Sequence, residues 1–216
     1  MFIGHFAVGF AAKRFAPRTS LATLIVAATL LDILWPIFLL AGWEIVRIDP
    51  GNTSFTPLDF VSYPWSHSLL MALVWSVTFA LGYLILTRYM RGAIAIAVGV
   101  ISHWVLDVIS HRADMPLSPG VDTRVGLGLW SSIAGTVVVE GAVFIAAVWL
   151  YAKSSRPTSK AGTYGFWSFV ALLTVLYVSD LFSPPPSNTA ILPIFGIAAW
   201  LFFPWSWWFD RNRRQI

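Results

Sequence analysis

Eight ionisable side chains stand within or at the edge of the long apolar runs of this sequence. They are all four of its histidines, His5, His67, His103 and His111, and the acids Asp32, Asp107, Glu140 and Asp180. A charge near the centre of a bilayer costs at least a few kcal/mol, so such groups pair with one another or serve a function. The densest group is His103-Trp-Val-Leu-Asp107-Val-Ile-Ser-His111. At about 100° per residue, positions i, i+4 and i+8 turn by only about 40° per step and share one helix face. At about 1.5 Å per residue, His103 and His111 lie about 12 Å apart on such a helix, too far to hold one metal at about 2 Å. The spacing therefore predicts two ions, one nearer His103 and one nearer His111, with the Asp107 carboxylate as a bridge. Ions paired at about 3.5–4 Å stabilise both the attacking and the leaving oxygen in phosphoester or amide hydrolysis.

Depth brings further groups to the same place. Asp32 lies 14 residues beyond Arg18, His103 12 beyond Arg91, and Glu140 13 before Lys153. At 1.5 Å per residue these are about 18–21 Å above the basic residues, a single layer. Asp107 and His111 fall further toward the opposite face, where His67 opens another apolar run. If Lys13 sits at the basic interface, His5 reaches about 12 Å up toward the layer. The predicted metal ligands are His5, Asp32, His67, His103, Asp107, His111 and Glu140, enough N and O donors for two ions of zinc, manganese or iron. Asp107 and Glu140 are also the candidate catalytic carboxylates, and Arg112 in the adjoining loop offers a bidentate grip on a phosphate. Each also has a plainer reading. His5 and Glu140 alone read equally as helix-to-helix hydrogen bonds, Ser66-His67-Ser68 as a helix cap, and Arg112 and its loop neighbours as ordinary surface charge. Asp180 is left outside the set.

These residues sit in a chain of 216 residues that is 57% hydrophobic and only 11% charged, against about 25% charged in soluble domains. With a mean hydropathy of +0.73, the composition excludes a soluble globule. The absence of cysteine excludes disulfides, thiolate metal sites and cysteine nucleophiles. Apolar runs near 20–43, 66–87, 92–111, 129–151, 164–182 and 190–209 each match the about 20 residues a crossing needs, and their continuity argues against strands. A shorter run, 1–15, suits a re-entrant or interfacial helix. Of the basic residues, Lys13, Arg14, Arg18, Arg88, Arg91, Lys153, Arg156, Lys160, Arg211, Arg213 and Arg214 fall on one side of this topology, and Arg47, Arg112 and Arg124 on the other. That asymmetry predicts six crossings of the plasma (inner) membrane, both termini cytoplasmic and the ligand cluster toward the outer half. Basic clusters that flank apolar runs are topology signals, which removes the case for nucleic acid. The expected fold is an all-α transmembrane bundle, one domain over 1–216, with the metal-site portion in 1–152 and a two-helix portion in 163–210.

At these residues the chain resembles the membrane-bound, predicted metal-dependent hydrolases, the YdjM-like family. The likeness rests on Gly4-His5, on Asp32 in Leu30-Leu-Asp-Ile-Leu-Trp-Pro36, on Ser66-His-Ser-Leu-Leu70, and on Ser102-His-Trp-Val-Leu-Asp107 running through His111 to Leu117. It covers about the first two thirds of the chain. The order His, Asp, His, His-x3-Asp, His, Glu is more distantly similar to the ligand order of zinc-dependent phospholipase C and the P1-type nucleases. The resemblance implies bridging roles for Asp32 and Asp107 and a terminal ligand at Glu140. Two positions depart from the pattern: Leu34 stands where many family members have a second Asp, and Thr136 where the soluble enzymes pair a His with their Glu. The second departure weighs against a third metal. The function expected is a membrane-embedded phosphoesterase-like hydrolase that uses two divalent ions, zinc foremost, on a lipid or lipid-linked substrate. The rival readings are a cation or proton transporter built on the same cluster and, ranked last, a haem protein.

Overall fold

Lipid offers backbone groups no partner, so a segment crossing it satisfies its own amides as a helix. A computed structural model describes all 216 residues and is the expected all-α bundle. Its helices are α1 (Phe2–Phe15), α2 (Leu21–Ala28), α3 (Leu30–Leu40), a one-turn α4 (Pro64–His67), α5 (Leu69–Thr87), α6 (Met90–Ser110), α7 (Ile133–Ser154), α8 (Lys160–Phe182), α9 (Ile191–Ala198) and α10 (Phe202–Arg211). Four of the segments long and apolar enough to cross a membrane are α5 to α8, and a fifth runs from α9 into α10; α2 and α3 together make up to a sixth. Serine hydroxyls cap α2, α5, α7 and α8, accepting from Thr23, Met71, Gly135 and Gly162 amides, which satisfies donors the first helical turn leaves open. Of the nineteen residues of α5 only Ala72 and Ser76 are buried; Leu73, Val77, Leu81 and Ile85 face outward, as a lipid-facing helix requires. Strand structure is confined to three short antiparallel pairs outside the helices: the hairpins β1 (Ile45–Ile48) with β2 (Leu58–Ser62) and β3 (Met115–Pro116) with β4 (Arg124–Val125), and β5 (Ser155–Pro157) after α7 with β6 (Arg213–Gln215) at the end of the chain.

Two elements differ from the straight-helix expectation. The run 20–43 is not one rod: α2 and α3 meet at Thr29 with a bend of 58°. Thr29 Oγ1 donates to the Ile25 carbonyl at 2.8 Å, a back-bond that bends helices, and Pro36 one turn past Asp32 brings no amide to the Asp32 carbonyl. The short α1, for which a re-entrant or an interfacial place stood open, lies in the interior of the bundle. Its Phe6 and Phe10 join Phe144, Tyr151, Phe166 and Phe169 in the largest buried cluster. Close approach needs missing side chains: a Cβ on Gly9 would meet Ile25 Cα at 2.9 Å, and one on Gly99 would meet Ala27 Cβ at 3.3 Å. Small residues of this kind let α1 and α6 close on α2.

Lys13 is paired inside the protein and not solvated. It is 5% exposed, and its Nζ donates to Asp210 Oδ2 and to the Thr19 carbonyl, both at 2.7 Å. Asp210 also accepts from the Leu21 amide at 2.9 Å and from Tyr151 Oη at 2.8 Å, so one carboxylate ties α1, α2, α7 and α10. The surrounding basic residues gather at this same end: Arg18 lies over the Tyr89 ring, and Arg213 donates to Ser155 and to the Gly162 carbonyl. Asp210→Ala leaves the Lys13 ammonium buried without a counter-charge and is expected to cost about 3–5 kcal/mol. Thermal unfolding in detergent reads this as a lowered midpoint, largely restored in the Lys13→Met/Asp210→Leu pair; an unchanged midpoint for Asp210→Ala would remove the ion pair from the account of stability.

Candidate metal centre

Five of the predicted ligands converge from four elements: His5 on α1, Asp32 on α3, His67 at the end of α4, and His103 and Asp107 one turn apart on α6. Each of two triads, His5 with His103 and Asp107, and Asp32 with His67 and His103, has its ligand atoms within 4.8 Å of one another. His103 Nε2 lies 3.1 Å from Asp107 Oδ2 and 3.6 Å from Asp32 Oδ1; His67 Nε2 lies 3.4 Å from Asp32 Oδ1 and 3.8 Å from Asp107 Oδ2. Ligand atoms about 2 Å from a tetrahedral ion stand about 3.3 Å apart, and these spacings fit that shape. The other Asp107 oxygen, Oδ1, is 3.1 Å from His5 Nε2 and accepts from the Met1 ammonium at 2.6 Å. Asp107 thus turns one oxygen to each side, as a bridging carboxylate does. The His5 and His103 rings stack with centroids 3.6 Å apart and planes within 4°. Four of the five side chains are buried, but the Asp32 side chain is 51% exposed and forms the open wall.

Local structure aims each ring. The bend at Thr29 leaves the Ala28 carbonyl outside the helix ladder, and His103 Nδ1 sits 2.8 Å from it. A carbonyl only accepts, so Nδ1 carries a proton, and in the neutral ring, the form that can bind a metal, Nε2 presents its lone pair to the carboxylates. His103 Nε2 is buried and makes no hydrogen bond of its own. His67 is aimed from the loop side. The chain turns at Ser68, in extended conformation between α4 and α5, so His67 projects inward instead of following the lipid-facing α5. Its Nδ1 lies 2.6 Å from Ser66 Oγ, which in turn donates to Glu44 Oε2 at 2.7 Å.

The structure does not bring the other predicted residues into these triads. His111 falls outside the helical stripe because α6 stops at Ser110 and His111 is extended, with φ −68° and ψ 152°. Its Nδ1 pairs with Asp114 Oδ1 at 3.0 Å, and its ring packs on Trp130 and Phe60. Tyr63 Oη donates to the same Asp114 oxygen at 3.0 Å; burial, with Asp114 beside it, pushes the Tyr63 phenol well above its usual range, which keeps it a donor. Glu140 accepts from the Gly4 amide at 3.3 Å at the positive end of α1, and its Oε1 is buried without a partner. Arg112 pairs with Asp59 and with Asp114, the latter at 3.3 Å, so its guanidinium is engaged on the protein itself. The buried Glu44 was invisible to spacing and depth, being a single acid in a connecting loop; its only signal is the neighbouring Ser66-His67-Ser68.

Comparison with protein-family models, with curated proteins and with solved structures finds no match. The geometry itself makes a discriminating forecast. His103→Ala is expected to reduce the metal held per purified chain, whereas His111→Ala leaves it unchanged and lowers thermal stability, since His111 serves its aromatic and Asp114 contacts. Equal metal loss in both variants, read by elemental analysis, would return His111 to the ligand set.

Proposed function

We propose that this chain is a membrane-embedded, metal-dependent hydrolase acting on a phosphoester or lipid-linked substrate. The observation that carries the reading is His103 Nε2: a buried lone pair, without a hydrogen bond, facing two carboxylates. Acceptors facing acceptors in a low-dielectric interior repel unless a cation stands among them; the Met1 ammonium meets Asp107 Oδ1, and the side formed by Asp32, His67 and His103 holds no such charge. In this proposal Asp32, His67, His103 and Asp107 would hold one divalent ion; His5 Nε2 and Asp107 Oδ1, which here meet the Met1 ammonium at 3.1 and 2.6 Å, would offer donors to a second once that ammonium is displaced or loses its proton. The donor set is nitrogen and carboxylate oxygen without sulfur, which suits zinc, manganese or iron. Such ions supply an acidified water and draw charge from a phosphoryl oxygen.

The residues of the chain do the rest. Asp107 spans both positions and sets their separation. Asp32, half exposed, lines the side from which a substrate reaches the cluster, and the buried rings of His5 and His103 form the opposite wall and keep bulk water out. With the basic end of the bundle on the cytoplasmic side of the plasma (inner) membrane, the C-terminus lies inside and the cluster in the outer half; the expectation of a cytoplasmic N-terminus gives way, because the Met1 ammonium meets Asp107 within the cluster. The resemblance to the YdjM-like hydrolases, carried by His5, Asp32, His67, His103 and Asp107 and continuing through His111 to Leu117, supports this assignment.

Elemental analysis of the full-length protein in detergent is expected to give two transition-metal ions per chain. Chelation is expected to abolish hydrolysis of a phosphoester presented in mixed micelles, and zinc or manganese to restore it; Asp107→Asn lowers both metal content and turnover. A folded protein with no bound metal sinks the proposal. Metal-dependent ion flux into liposomes, with no product formed, would put a cation or proton transporter in its place.

A further inference from the structure

Glu44 takes no part in either triad, yet it is a buried acid with all its contacts directed at the chain around His67. Its Oε1 accepts from the Trp65 and Ser66 amides at 2.9 and 2.7 Å, and its Oε2 from the Ser66 hydroxyl at 2.7 Å. Pro64 opens α4 without an amide, so Trp65 and Ser66 carry the first open donors of that turn, and the Glu44 carboxylate satisfies them from a distance. Proton counting then fixes the histidine. A serine hydroxyl has one hydrogen, and Ser66 gives it to Glu44. The 2.6 Å contact between Ser66 Oγ and His67 Nδ1 therefore requires His67 Nδ1–H as donor, and in the neutral ring the lone pair is left on Nε2, 3.4 Å from Asp32 Oδ1.

We infer that Glu44 is a positioning residue that, through Ser66, holds His67 in the tautomer whose Nε2 can take a metal. The metal half of this inference rests on the proposed function; the tautomer half does not. In Glu44→Gln the amide NH2 faces Ser66 Oγ, the hydroxyl hydrogen is released toward His67 Nδ1, and the proton moves to Nε2.

Histidine 15N NMR of the metal-free, full-length protein in micelles is expected to show His67 protonated at Nδ1 in the wild type and shifted toward Nε2–H in Glu44→Gln. Zinc titration of the same samples is expected to show affinity reduced about 10–100-fold at the position shared by Asp32, His67 and His103, the range for loss of a partner behind a metal-bound histidine. Ser66→Ala, which keeps the Glu44 contacts to both amides, loses the acceptor for Nδ1–H and is expected to move both readouts the same way; it carries the test alone if Glu44→Gln does not fold. A wild-type His67 spectrum and wild-type zinc affinity in the folded variants overturn the inference. A tautomer shift in a protein that binds no zinc even as wild type overturns the proposed function and leaves the positioning of His67 standing.

Discussion

The cluster depends on one hydrogen bond between a side chain and a broken backbone, from His103 Nδ1 to the Ala28 carbonyl at 2.8 Å. In a continuous helix that carbonyl would accept from the amide four residues on, which belongs to Asp32. The bend between α2 and α3 releases it at a fully buried residue, and an orphaned carbonyl there must find a donor within the protein. His103 supplies it. The same break that makes the carbonyl available turns the start of α3, with Asp32 in its first turn, toward α6. One local irregularity therefore fixes the orientation of one candidate ligand and the position of another, which is how irregular backbone at membrane depth usually lines a site.

The device is repeated with different acceptors. His67 donates from Nδ1 to Ser66 Oγ, and His111 to Asp114, so three imidazoles are each held by an acceptor behind the ring with Nε2 turned the other way. His5 is the exception, its Nδ1 buried without a partner. His5 is oriented by the contacts of its Nε2 with the Met1 ammonium and Asp107 Oδ1, both at 3.1 Å, by the flat stack on His103 and by the seating of α1. Placing five polar side chains together in an apolar bundle is costly unless their lone pairs and charges are mutually satisfied; here the Nδ1 side is satisfied by the protein for His67 and His103, and the unsatisfied side faces the carboxylates.

Much of the frame was legible because its cause is the bilayer itself. The apolar runs 66–87, 92–111, 129–151 and 164–182 agree with α5 to α8 to within a few residues, since hydrocarbon thickness sets the length of a crossing. The i, i+4 pairing of His103 and Asp107 was legible for the same reason that helical periodicity is. What escaped the sequence depends on contacts made at a distance. Nothing in Leu24-Ile-Val-Ala-Ala-Thr-Leu-Leu31 carries a strong breaker, so 20–43 reads as one rod, and only the Thr29 back-bond and the tertiary use of Ala28 bend it. His111 was assigned to a stripe that presumes a continuing helix, but the helix is stopped by the loop folding back, Leu127 N onto the Val108 carbonyl and Gly128 N onto the His111 carbonyl, both at 2.7 Å. The pairing of Lys13 is hidden from the sequence for the same reason: its partner, Asp210, lies 197 residues away.

The interior position of α1 is the least expected feature and the one that links the two halves of the chain. At fourteen residues it is about 21 Å long, too short to cross, and its apolar moment cannot decide its depth because it is surrounded by protein. Its ends decide it. The first turn meets the Glu140 carboxylate through the Gly4 amide, where negative charge suits the positive end of a helix, and the last turn is pinned by Lys13 to Asp210. Glu140 belongs to α7 and Asp210 to α10, so two residues far along the chain join the Met1–Asp107 ion pair in setting the height at which His5 meets His103. Every side chain in the two triads comes from residues 5–107, but the helix that presents His5 is held by the second half of the chain, whose Phe166, Phe169, Phe202 and Phe209 wall it in. The C-terminal helices therefore act on the centre through the depth of α1, without contributing a ligand to it.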